Sequence, residues 1–144
     1  MRYLMMIMSD EQTEAGQLPG PEVFEAMNRY NEAMVKAGVL LAGEGLAPGS
    51  EGARVTFSDG RVTVTDGPFT EAKEVIAGYW VIQVSSREEA LEWARRCPHP
   101  PEGSGAVLNL QLRRIAETEE FGDAVPEHVR EQEARWRAEG IGNG

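Results

Sequence analysis

Two segments of this chain are apolar at both parities, and they restrict the fold more than anything else in the sequence. In residues 2–8 (RYLMMIM), Tyr3, Met5 and Ile7 point one way along an extended chain, and Leu4, Met6 and Met8 the other. In residues 76–84 (IAGYWVIQV), Trp80, Ile82 and Val84 share one side, and Tyr79, Val81 and Gln83 the opposite one. A strand apolar on both sides has to be covered on both faces of its sheet. Residues 39–42 repeat the pattern, whereas residues 107–115 (VLNLQLRRI) break it. There Leu108, Leu110 and Leu112 form an apolar side, and Asn109, Gln111 and Arg113 a polar one.

Helical stretches lie between these strands. Pro21 suits a first helical turn, and Val23, Met27, Tyr30, Met34 and Ala37 then recur at helical spacing until Gly38, the natural stop. Such a stripe is a core face, not a cofactor box. Ser86 and Glu89 have capping-box spacing for a helix over 87–96, with Ala90, Leu91, Ala94 and Cys97 on its inner side. Pro98-His99-Pro100-Pro101 ends that helix. Residues 9–20 read as a polar loop. Residues 55–58 and 61–65 flank Asp59-Gly60, the dipeptide of a type I′ hairpin, which sets Phe57 opposite Val62 and Val55 opposite Val64.

With the hairpin set aside, the order is βαββαβ, so the expected fold is α+β, ferredoxin-like, with an inserted β-hairpin and a C-terminal helix. Two helices cover one face of a four-stranded sheet, and a second copy's sheet is the economical cover for the other. A homodimer is therefore expected. Residues 1–115 make the domain and residues 116–144 an acidic helical extension. Pro126 stands near the start of its helix, Glu131–Arg135 and Glu133–Arg137 have ion-pair spacing, and Val129 and Trp136 share a face.

A formal charge of −10 excludes a nucleic-acid surface and an acidic membrane surface as partners. The single cysteine, Cys97, excludes an intrachain disulfide and reads as an inert core thiol. No signal peptide or membrane-spanning run is legible, so the expected location is the cytoplasm. Gly43-Glu44-Gly45-Leu46-Ala47-Pro48-Gly49 is not a dinucleotide loop: its third glycine falls one residue late and a hairpin follows. These glycines are expected to bend or bulge the strand. Glu44 is a candidate inward-facing carboxylate.

Between the hairpin and residues 76–84 stands Asp66-Gly67-Pro68-Phe69-Thr70-Glu71-Ala72-Lys73-Glu74. Gly67, Pro68 and Phe69 make a turn nearly obligatory. A turn aspartate ordinarily accepts from the N–H two residues on, but here that residue is Pro68. Asp66 must therefore use the Phe69 N–H, another segment, solvent or a ligand.

The nine-residue block closely resembles the signature of the YCII-related family, in its DGPF subgroup. Gly78-Tyr79, Glu89-Ala90, Ala94-Arg95-Arg96-Cys97-Pro98 and the opening Arg2-Tyr3-Leu4-Met5 extend the resemblance over about residues 1–115. It implies a dimeric α+β barrel. It also implies small-molecule lyase chemistry on a His-Asp pair in the cavity between sheets, with Asp66 matching the aspartate. The first-helix histidine has no counterpart, since residues 21–37 offer Asn28, Tyr30 and Asn31 instead. The usual closing Glu-Val-Arg-Pro is replaced by Gln111-Leu112-Arg113-Arg114. Members of the subgroup are often encoded beside extracytoplasmic-function sigma factors, which implies a regulatory role.

No nucleophilic triad or zinc spacing is present, and no cofactor or metal is expected. The candidate site is a cleft near Asp66. Asp66 is its catalytic candidate, a general base if burial raises its pKa. Glu44, Lys73, Tyr79, Asn109, Gln111 and Arg113 are the candidate ligand-binding residues, with Arg113 suited to a carboxylate. The alternative is that Asp66 caps its turn and pairs with Lys73 or Arg113. Two functions stand: a small-molecule-binding protein, with lyase or isomerase chemistry as an option, or a non-catalytic regulatory dimer.

Overall fold

The structure, a computed structural model, describes residues 1–142. Among these residues there are six strands, β1 (Arg2–Met8), β2 (Leu40–Gly45), β3 (Ala53–Ser58), β4 (Arg61–Asp66), β5 (Ile76–Gln83) and β6 (Leu110–Arg114), and four α-helices. The helices are α1 (Glu11–Glu14), α2 (Pro21–Lys36), α3 (Arg87–Arg95) and α4 (Glu127–Ala138). The expected α+β fold is present. Strands β2-β5-β1-β6 form one antiparallel sheet in the ferredoxin-like order, and β3-β4 form a separate hairpin.

The predicted parities decide which face meets the helices. Tyr3 and Met5 of β1 and Trp80 and Ile82 of β5 pack with Tyr30 and Met34 of α2 and Ala90 and Trp93 of α3. Met5, Met34 and Ile82 are fully buried, each contributing about 1.5–3 kcal/mol of transfer free energy. Tyr30 stands edge-on to Trp80, ring centroids 5.5 Å apart, and its hydroxyl donates to the Trp93 carbonyl at 2.6 Å. Burial pushes the Tyr30 phenol far above its ordinary range, so it stays a neutral donor.

Gly38 stops α2 with φ 72°, as its position implies, while Val23 and Ala37 at the ends of the stripe are exposed. Trp93, absent from the expected inner side of α3, is 8% exposed and belongs to the core. The capping box is half formed: Ser86 Oγ accepts from Glu89 N, but Glu89 Oε2 accepts from Ser85 N and Oγ. The expected strand over 107–115 shortens to β6, with Val107 exposed. The polar loop contains α1, capped by Asp10, whose side chain accepts from Thr13 N at 2.7 Å.

The hairpin has the predicted register, Phe57 opposite Val62 and Val55 opposite Val64, with Asp59 (φ 50°) and Gly60 (φ 74°) at its tip. Every residue of β3 and β4 is exposed. After β6 the chain is held by charge. Arg2 grips Glu117 through both ends of its guanidinium at 3.2 Å, Arg114 pairs with Glu120, and Arg137 of α4 reaches Glu117. Thr118 Oγ1 donates to Glu133 of α4 at 2.7 Å. Trp136 is 45% exposed. The expected extension ends at residue 144, and residues 143–144 lie outside the described residues.

Candidate functional site

The turn after β4 is set by a close backbone approach. Gly67 N donates to Gly52 O at 2.9 Å, and a Cβ at Gly67 would fall 1.8 Å from the Gly49 carbonyl oxygen. Only glycine fits there. Gly49 N is in turn held by Glu14 Oε2 of α1 at 2.6 Å. The Gly67–Pro68 peptide is cis, and Phe69 is half-buried with the Arg54 guanidinium 4.4 Å over its ring. Asp66 closes β4 opposite Ala53, and its side chain is exposed. Among the described residues it accepts no hydrogen bond and pairs with neither Lys73 nor Arg113. Lys73 is exposed in a short 3-10 turn, Ala72–Glu74.

The other candidates lie on the main sheet. Cross-strand register puts Glu44, Tyr79, Met6 and Gln111 in one row, and Ala42, Val81, Leu4 and Arg113 in the next. Alternation sends these side chains to the face away from α2 and α3. Asn109 lies just beyond β6, its carbonyl accepting from Met8 N at 3.0 Å. Glu44, Asn109, Gln111 and Arg113 are exposed and Tyr79 is half-buried. Glu44 and Arg113 stand on opposite edge strands, with β5 and β1 between them. The sheet thus gathers Glu44, Tyr79, Gln111 and Arg113 on one face, while Asp66 and Lys73 belong to the turn outside it.

The opposite face holds a feature that the residue patterns do not announce. Gly43 and Gly45 of β2 and Gly78 of β5 direct no side chains toward α2. The result is a pocket of about 220 Å³ beneath α2, walled by Ile7, Met27, Asn31 and Trp80. The expected strand bulge falls at Leu41, between Leu40 and Ala42, so the glycines act instead as a pocket floor. Gly43 is also needed for contact, because a Cβ there would lie 2.9 Å from Trp80 Cδ1. A Cβ at Gly45 would meet nothing within 4 Å.

Trp80 Nε1 donates to Asn31 Oδ1 at 2.8 Å. That bond fixes the Asn31 amide and leaves its NH₂ with two donors for a ligand. Glu44 and Tyr79 border the same pocket, but alternation gives their main chains, not their side chains, to it. Met27 and Asn31, one helical turn apart on α2, were the sequence signal for this wall. Of the first-helix residues standing where a histidine was expected, Asn31 lines the pocket and Tyr30 lies in the core. The arrangement offers an apolar enclosure with oriented amide donors and no ionised group aimed inward by its side chain. Among the described residues no three His, Cys, Asp or Glu side chains come together as a metal site, and no helix is long and apolar enough to cross a membrane.

Residues 1–114 match the YCII-related domain. An uncharacterized protein of Rhizobium meliloti (strain 1021) is 33% identical over 121 residues, which span 81% of this chain and 98% of that protein.

Proposed function

The chain belongs to the YCII-related family, and we propose that it is a small-molecule-binding protein whose ligand occupies the glycine-floored pocket beneath α2. The observation that carries this reading is the pocket of about 220 Å³ with the Asn31 amide locked by Trp80. A polar side chain held in one orientation against apolar walls is what a specific site for a small carbonyl-bearing compound requires. The unpartnered Asp66 carboxylate supports an extension of the site. Its turn packs on Gly49, four residues beyond Gly45 of the pocket floor. In this proposal Asp66, exposed at that turn, is the catalytic candidate for lyase or isomerase chemistry. Residues 66–74 support placement in the DGPF subgroup.

The working unit in this proposal is a cytoplasmic homodimer. A second copy covers the sheet face on which Leu4, Met8 and Tyr79 remain half-buried, bringing Glu44, Gln111 and Arg113 into the layer between sheets. One observation favours a second reading, a regulatory interaction protein: Val55, Phe57, Val62 and Val64 are each at least 50% exposed on the hairpin.

A thermal-shift screen of a metabolite panel tests the binding reading. The expected result is a compound that raises the melting temperature in proportion to its concentration over Kd and loses affinity in Asn31→Leu. A panel with no such compound, or a hit indifferent to Asn31→Leu, would turn the assignment toward the interaction reading.

A further inference from the structure

On one side the main sheet ends at β2, whose outer edge is open. Leu46 N donates to Ala77 O at 2.8 Å, which makes Leu46 and Ala77 a hydrogen-bonded pair. Bonded and non-bonded pairs alternate along an antiparallel ladder. Glu44–Tyr79 is therefore bonded, and Gly43 and Gly45 turn their N–H and C=O groups away from β5. Among the described residues nothing takes up these donors and acceptors. An edge left open in this way is a template for another strand.

The hairpin carries a strand in matching phase. Its two-residue turn makes Ser58–Arg61 a bonded pair, so on β4 it is Val62 and Val64 whose main-chain groups point outward. Set antiparallel to β2, Val62 falls opposite Gly45 and Val64 opposite Gly43, each pair exchanging both N–H···O bonds. The two valines then stand on the helix side of the sheet, where β2 has no side chains. There Phe24, seven residues before Asn31 on the same flank of α2, is exposed. The other phase would send the valines to the polar side. Charge agrees with this register. Thr63 falls opposite Glu44, and Arg61 lies on its diagonal, within reach of a long side chain. Glu44 and Arg61 are both exposed, and neither has a partner among the described residues. Arg54, by contrast, is held 4.4 Å over the Phe69 ring of its own chain, which ties β3 to its own turn and leaves β4 as the free strand.

Within one chain β4 does not pair with β2, and a lone two-stranded hairpin is marginal in water. We propose that β4 of a second copy of this chain docks on the free edge of β2, reciprocally between the two copies, so that the second copy's Val62 and Val64 wall the open side of the pocket beneath α2. The contact is made by main chain and forms without any ligand. A strand of six residues is small beside the about 20–30 residues a side of a stable interface, so the contact is weak and does not by itself hold two copies together at micromolar concentration.

Disulfide trapping reads the register in the full chain. Directly opposed residues of a non-bonded antiparallel pair have Cα atoms about 4.5 Å apart, within the span of a disulfide. Glu44→Cys and Thr63→Cys, each combined with Cys97→Ala, are mixed at high protein concentration and oxidised in air. Their mixed dimer should form about tenfold faster than that of Glu44→Cys with Thr56→Cys, which shares the polar side of the hairpin but lies one strand, about 5 Å, farther from β2. In the wild type, the Gly43 and Gly45 amides should exchange with solvent about tenfold more slowly at high protein concentration than in dilute solution. Val62→Pro, which removes an outward N–H and none of the bonds to β3, should abolish that difference. The proposal is overturned if Thr63→Cys and Thr56→Cys are trapped equally, if only same-variant dimers form, or if the Gly43 and Gly45 amides are indifferent to concentration.

Discussion

Gly67→Ala should release the hairpin from the rest of the molecule while leaving the core intact. An unstrained carbon–oxygen contact is 3.4 Å or longer, whereas the added methyl would stand 1.8 Å from Gly49 O. The turn or the Gly49 segment must therefore move by about 1.6 Å, and both are tied down by hydrogen bonds. The Gly49 N–H to Glu14 carboxylate bond is worth about 1.5–3 kcal/mol and the Gly67 N–H to Gly52 O bond about 0.5–1.5 kcal/mol. Losing both costs about 2–4.5 kcal/mol. Because β3 and β4 are exposed along their length and contribute no residue to the core, the cost falls on local opening. Native-state hydrogen exchange reads this directly. Amides paired between β3 and β4 should exchange about thirty- to two-thousandfold faster, and those between β1 and β5 should change by less than about twofold. Wild-type exchange in the hairpin of Gly67→Ala, or equal acceleration in β1 and β5, would refute the reasoning.

Asp66→Asn should change stability by less than about 0.5 kcal/mol, because the carboxylate is exposed and accepts no hydrogen bond among the described residues. A loss above about 1 kcal/mol in urea titrations would restore the turn-cap reading. The tether after β6 should weaken in acid. The Arg114 guanidinium holds the Glu120 carboxyl down to about 2, and Arg2 lowers that of Glu117, so their contribution is complete above about pH 4.5 and lost as pH falls toward 2. An NMR titration should place the Glu120 midpoint near 2, and Arg114→Ala should return it toward the ordinary 4.5; an unmoved midpoint contradicts the pairing. In sedimentation at micromolar concentration the chain should run at twice its 15.8 kDa mass, and Leu4→Glu should halve it by placing a charge on the covered sheet face. A wild-type monomer would remove the second copy from the account.

Much of the fold was legible because local and long-range signals agree in this chain. Asp59-Gly60 dictates the hairpin turn, and the pairing Phe57–Val62 follows from it without reference to the rest of the molecule. Gly38 ends α2 because the chain needs a positive φ there. The parities of β1 and β5 grouped Tyr3 with Met5 and Trp80 with Ile82, and these pairs share the core face. Trp93 was missed although Ala90, Trp93 and Cys97 carry the helical period. The extension was legible in composition only. Its anchors are Arg2 with Glu117 and Thr118 with Glu133, pairs that are far apart in sequence or cross an irregular turn.

The site was harder to read than the fold for a physical reason. Sequence patterns mark side chains, whereas the pocket beneath α2 is made by their absence at Gly43, Gly45 and Gly78. Three glycines on paired strands look like defects until the register puts them side by side beneath Asn31. Asp66 stood out because Pro68 closes its usual turn partner, but its separation from Arg113 could not be read before the hairpin was seen to form its own sheet.

The central claim, that the space above Gly45 is a ligand site, is tested most directly by filling it. Gly45→Leu introduces a side chain where a Cβ meets nothing within 4 Å, so the fold should tolerate it, and glycine within a strand carries an entropic cost that the substitution removes. Calorimetric titration of the wild type and Gly45→Leu with the compound found by thermal shift should show binding to the first and none to the second, with the two proteins melting within a few degrees of each other. A Gly45→Leu protein that folds normally and binds the compound with unchanged affinity would contradict the account.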